Sequence, residues 1–127
     1  MKDSSIIDKV LSRRVFDSRG NPTIETEIIT KSGKSGRAIS PSGASIGKNE
    51  AIEIRDNDKR YNGKDIKKGL ELIDNEIADL LIGKSCEDQK GFDKIINDFD
   101  KSDQKKIIGG NVSTSLSIAN YLCASNL

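Results

Sequence analysis

The chain has no histidine, and this single absence removes imidazole acid–base catalysis, histidine nucleophiles and histidine metal ligands from the residues present. Tryptophan is also missing, and only three phenylalanines and two tyrosines occur, so a core must be built from aliphatic side chains, chiefly isoleucine. Two cysteines, Cys86 and Cys123, stand far apart with no CxxC spacing, which argues against a zinc site and for reduced thiols. Neither sign of charge dominates: 21 lysines and arginines against 20 aspartates and glutamates leave a net charge of +1. That balance argues against a nucleic-acid binder working through a basic face and against a polybasic membrane clamp. No segment approaches the ~20 apolar residues of a membrane span, and the start, MKDSSIIDKV, lacks the apolar stretch of a signal peptide. The expectation is a soluble, cytoplasmic protein with no nucleic-acid or membrane partner.

What is present suits one domain over residues 1–127, a length at which roughly two-thirds of the unfolded surface becomes buried. Thr23 to Thr30 alternates, with Ile24, Thr26 and Ile28 on one face and Thr23, Glu25 and Glu27 on the other, which predicts a strand. The Gly-bearing turn residues Lys31–Gly36 let Arg37–Ser40 return beside it. The first segment is ambiguous, because Ile6, Ile7, Val10, Leu11 and Val15 fit a helical stripe better than a strand. Further on, Ile66, Leu70, Ile73, Ile77, Leu80 and Leu81 make one helical stripe, with Asp65 as its cap and Gly83 as its stop. Ser85-x-x-Asp88 resembles a capping box ahead of Phe92, Ile95, Ile96 and Phe99. A last helix from Asn111 carries Val112, Leu116, Ala119, Leu122 and Cys123 on one side and is rich in Ser and Thr, so packing must hold it. A strand hairpin followed by helices is an α+β layout.

Three segments can carry chemistry. Ser40–Lys48 (SPSGASIGK) is rich in glycine and hydroxyls, and its backbone N–H groups can turn towards an anion. It is not a P-loop: only three residues separate Gly43 from Gly47-Lys48, and Asn49 replaces the hydroxyl residue. On composition alone a surface loop is the favoured reading. Asp17–Pro22 reads as a tight turn in which Asp17 and Arg19 pair or reach a neighbouring surface. The carboxylates of Glu50–Asp58 lack calcium-loop spacing and read as solvated or structurally paired groups.

Taken together, DSRGNPTIE at Asp17–Glu25, GRAISPSGASIG at Gly36–Gly47, EAIEIRD at Glu50–Asp56 and the GGN of Gly109–Asn111 resemble the enolase (phosphopyruvate hydratase) N-terminal domain. The likeness is collinear over nearly the whole chain. It implies a three-stranded antiparallel meander followed by a helical bundle, with the first segment a strand. It implies a lyase that reversibly dehydrates 2-phosphoglycerate to phosphoenolpyruvate in glycolysis, with its catalytic acid and base in a C-terminal barrel domain absent from these residues. This domain would then carry no catalytic residue and be inactive alone. Its share would be a mobile loop of Ser42, Gly43, Ala44, Ser45 and Gly47 closing over substrate, with Ser45 a ligand of the second of two Mg²⁺ ions. The full-length form would be a homodimer, with Arg13 and Arg19 as possible interface residues. Ile46 stands where the family has threonine, and Ile107 where it has lysine. The alternative is a free-standing enolase-like binding or assembly module without lyase activity.

Overall fold

A computed structural model describes residues 2–41 and 52–127 of the chain. A short helix α1 (Lys2–Ser5) leads into strands β1 (Ile7–Phe16), β2 (Pro22–Thr30) and β3 (Ser35–Ile39). They pair antiparallel in the order β1-β2-β3, with Val10 opposite Ile28, Arg14 opposite Ile24 and Thr26 opposite Ala38. The meander expected of an enolase-like domain is therefore present, and the first segment is a strand against its helical periodicity. The reason lies in what faces inward. On β1 the core side carries Val10, then Ser12 and Arg14, while Leu11 points out at 39% exposure. Polar residues on the inner face and an apolar one on the outer hide the period of two.

Helices cover one face of this sheet. A continuous run of α2 (Lys67–Leu72), a π-turn (Ile73–Ile77) and α3 (Ala78–Leu81) packs along β1, α4 (Gln89–Phe99) follows, and α5 (Gly110–Ser125) crosses β2 and β3. The i→i+5 bonds of the π-turn widen that turn, so residues four apart stack, and Ile73, Ile77 and Leu81 are buried. Leu80, expected inside, is 43% exposed instead. On α5, Val112, Leu116, Ala119 and Cys123 are buried as expected, but Leu122 faces outward and Ser115 and Asn120 take inner positions. Close approach sets one glycine: a Cβ on Gly36 of β3 would lie 2.1 Å from the Cys123 backbone nitrogen. No other residue lets α5 lie so near the sheet.

The helix ends differ from the sequence expectation in instructive ways. Asp65 does not cap α2. Asp56, eleven residues upstream of Lys67, accepts the Lys67 and Lys68 N–H groups at 3.0 Å each. The α4 cap is Asp88, which accepts the Gly91 N–H at 3.0 Å, whereas Ser85 hydrogen-bonds the Ser5 hydroxyl. Gly83 does adopt positive φ (+90°), but its N–H goes to the Ile7 carbonyl at 2.9 Å, tying the helix end to β1.

Candidate functional site

The nominated loop residues Ser42, Gly43, Ala44, Ser45 and Gly47 lie outside the described residues, as do Ile46 and Glu50. Both stems of that loop are described, and both are pinned. Ser40, 2% exposed, donates its N–H to the Ile24 carbonyl and accepts the Thr23 hydroxyl at its own carbonyl, each at 2.8 Å. The leading stem is thereby locked to β2.

The trailing stem is held by the start of α5. Ile52 donates to the Gln104 carbonyl and accepts from the Gly110 N–H, both at 2.7 Å. Two residues on, the Asn111 side-chain amide pairs with the Ile54 backbone, accepting its N–H and donating to its carbonyl at 3.1 Å each. The amide reproduces the reciprocal pairing of a neighbouring strand. Gly109 makes room for this: its φ is +81°, and a Cβ there would come within 2.5 Å of an Ile54 side-chain carbon and 2.6 Å of the Asn111 oxygen. The Gly-Gly-Asn run thus acts as a clamp on the stem.

Arg55 bolts the same stem to the Asp17–Pro22 turn. Its guanidinium donates to the Pro22 carbonyl, to the Lys64 carbonyl at 2.8 Å and to Glu53 at 2.9 Å. The turn itself is closed by Asp17, whose carboxylate accepts the Arg19 and Asn21 N–H groups at 2.9 Å each. Arg19 sits exposed at its tip. Among the described carboxylates of the 50–58 stretch, Glu53 pairs with Arg55, Asp56 caps α2 and Asp58 accepts the Arg60 N–H at 3.0 Å. They are structurally paired, as the sequence reading expected.

Arg13 and Arg14 go to opposite faces of β1. Arg13 forks between Glu25 at 2.6 Å and Glu27 at 2.7 Å on the uncovered face of the sheet. Arg14 faces the helices and makes a two-pronged pair with Asp65, which has no exposed surface. Arg60 lies 3.6 Å from the same carboxylate. The Tyr61 ring, edge-on to Phe16 at 5.5 Å, takes the Arg14 and Arg60 guanidinium groups over its face at 5.8 and 5.5 Å. The Arg14–Asp65–Tyr61 cluster was not singled out from sequence. One signal was available: an arginine on the core face of a strand demands a buried carboxylate.

Asp65 and Asp100, both buried, are each held as carboxylates. Burial works against the charge of Asp65, but the bonds from Arg14 and the Ile66 N–H outweigh it and hold the carboxyl below its ordinary value. Burial likewise opposes ionisation of Asp100, and hydrogen bonds from the Ser102 hydroxyl and the Ile108, Ile107 and Ser102 N–H groups bring it down to about 2. These are fixed anions with structural work. Among the described residues no group of three or more acids or cysteines can hold a metal ion, and no helix is long and apolar enough to cross a membrane.

The fold is a three-stranded antiparallel sheet followed by helices, and the family model for the enolase N-terminal domain matches residues 7–127. The chain belongs to the enolase N-terminal domain family. Within an enolase N-terminal domain, the observed clamps say where the frame is rigid: at Ser40 on one side and at Ile52–Ile54 on the other.

Proposed function

We propose that this domain is the lid of an enolase, a cytoplasmic lyase that interconverts 2-phosphoglycerate and phosphoenolpyruvate. The observation that carries this reading is the family match over residues 7–127. The anchoring of both stems beside the 42–51 segment supports it. A substrate-covering loop must move on a frame that does not, and rigid ends with Gly43 and Gly47 between them meet that need.

In this reading Ser45 offers its hydroxyl and carbonyl oxygens to a divalent cation. Hard oxygen donors without sulfur or imidazole suit Mg²⁺. When bound, the second Mg²⁺ supplies positive charge against the anion that builds on the substrate carboxylate as its α-proton leaves. Ser42, Gly43, Ala44 and Gly47 shape the closed loop and exclude water from the reacting centre. The acid, the base and the first Mg²⁺ site are assigned to the barrel, with which this domain forms the enzyme. Arg13, whose partners Glu25 and Glu27 lie on the uncovered sheet face, and Arg19 at its exposed turn are proposed to border the homodimer contact.

The test is an assay for phosphoenolpyruvate formation with the 127-residue chain alone and with the chain joined to an enolase barrel. The expected result is no turnover alone and Mg²⁺-dependent turnover when joined. Turnover by the chain alone overturns the division of labour, and an inactive joined form with a properly folded barrel overturns the lid role.

A further inference from the structure

Between α4, α5 and the 100–109 loop lies a groove of about 310 Å³ that the lid role leaves unused. The volume is that of a small-molecule site, and the lining mixes charge, hydroxyls and apolar surface. The loop contributes Lys105, half-buried, whose ammonium donates to the Asp100 carbonyl at 3.1 Å. An ammonium has three protons to give, and among the described residues no carboxylate pairs with this one. The Lys105 backbone has a φ of +54°, a left-handed conformation that a long side chain adopts only where its surroundings impose it. Here its N–H donates to the Ser102 carbonyl at 3.2 Å and its carbonyl accepts the Gly109 N–H at 2.8 Å. The turn therefore fixes the point from which the lysine reaches into the groove.

The second charge comes from α4. Asp93 Oδ1 accepts the Gln89 side-chain amide at 3.0 Å and the Ser117 hydroxyl at 2.7 Å, which together hold the carboxylate in place. Its Oδ2 has no hydrogen-bond partner among the described residues. Asp93 and Lys105 thus line one groove without pairing with each other. Thr114 of α5 adds a hydroxyl, and Ile96 and Ile118 supply the apolar surface.

We propose that this groove is a binding site for a small free α-amino acid with an aliphatic side chain. The ligand carboxylate takes the unused protons of Lys105, its ammonium takes the open oxygen of Asp93, and its side chain lies against Ile96 and Ile118. A zwitterion suits the groove better than either kind of single ion. A simple anion is repelled by Asp93 and a simple amine by Lys105, whereas one molecule with both charges satisfies both walls. None of these side chains takes part in the lid role, so the two readings stand or fall separately.

The experiment titrates L-valine into the folded, isotope-labelled chain and follows backbone amide chemical shifts. The expected result is a saturable shift centred on Asp93, Lys105 and Thr114, with the millimolar affinity of so small a ligand. Isobutyrate and isobutylamine each carry half of the charge pattern and are expected to bind at least about tenfold more weakly. Lys105→Met and Asp93→Asn are each expected to weaken valine binding by about tenfold or more. Lys94→Met, on an exposed part of α4 where the lysine pairs with Asp98, leaves binding unchanged. If either groove variant does not fold, the comparison of the three ligands on the wild-type chain decides. Absence of a saturable shift with valine overturns the proposal. So does equal affinity for valine and either half-molecule, or undiminished valine binding in a folded groove variant.

Discussion

Arg14 and Asp65, 51 residues apart, are joined by two parallel hydrogen bonds, Nε to Oδ1 at 2.7 Å and a terminal nitrogen to Oδ2 at 3.0 Å. Asp65 is fully buried and the Arg14 side chain is 24% exposed. Removing the arginine strands a charge in the interior, the costly way to break such a pair. Arg14→Met is expected to destabilise the domain by about 3–5 kcal/mol. Arg13→Met, one residue away but on the uncovered face, is expected to cost under about 1 kcal/mol. Urea unfolding of both variants checks the contrast, and equal losses contradict it.

Asp100 governs the 100–109 loop. One oxygen accepts the Ser102 N–H and hydroxyl at 3.0 and 2.6 Å, and the other accepts the Ile107 and Ile108 N–H groups at 2.7 and 2.9 Å. Its folded value of about 2 lies below the ordinary 3.8. The stabilisation is fully present above the ordinary value and is lost as pH falls from there through about 2. Asp100→Asn turns a donor towards a pair of N–H groups, that of Ile108 buried, and is expected to cost roughly 2–3 kcal/mol at pH 7. The variant should also lose the steep part of the acid dependence, which denaturant midpoints taken between pH 5 and pH 2 read directly.

The clamp on the loop stem is testable without activity. Asn111→Leu removes both bonds to Ile54 and leaves that buried-side backbone unpaired, for an expected loss of about 2 kcal/mol. Hydrogen exchange at the Ile54 amide should accelerate well beyond the change at the Ser40 amide, which the other stem holds. Parallel acceleration at both would mean the stems are not held independently.

Thr26 sits at the centre of the inner sheet face with a buried hydroxyl that has no hydrogen-bond partner among the described residues. Thr26→Val keeps the shape and removes the unsatisfied group. A gain of about 1 kcal/mol, seen as a higher Tm, is expected.

These residues also show how far the sequence could be read. β2 was legible because Ile24, Thr26 and Ile28 alternate cleanly with Glu25 and Glu27. β1 was not, since Ser12 and Arg14 face inward and Leu11 outward, and only its likeness to enolase placed it as a strand. The helices were legible from their stripes, while their caps were not: Asp56 reaches α2 from eleven residues away, and short-range capping patterns cannot see that distance. Motif likeness nominated the loop of Ser42 to Gly47. The groups that fix its stems, Asn111, Gly109 and Arg55, act across the fold and leave no mark in local spacing.

The central claim is that Ser45 serves the transition state through a metal held jointly with a barrel domain. Its most direct test is the kinetics of Ser45→Ala in the two-domain enzyme, measured against Mg²⁺ concentration. The account predicts a fall in kcat of about tenfold or more with KM nearly unchanged and a raised Mg²⁺ requirement. An unchanged kcat with the wild-type Mg²⁺ dependence would contradict it.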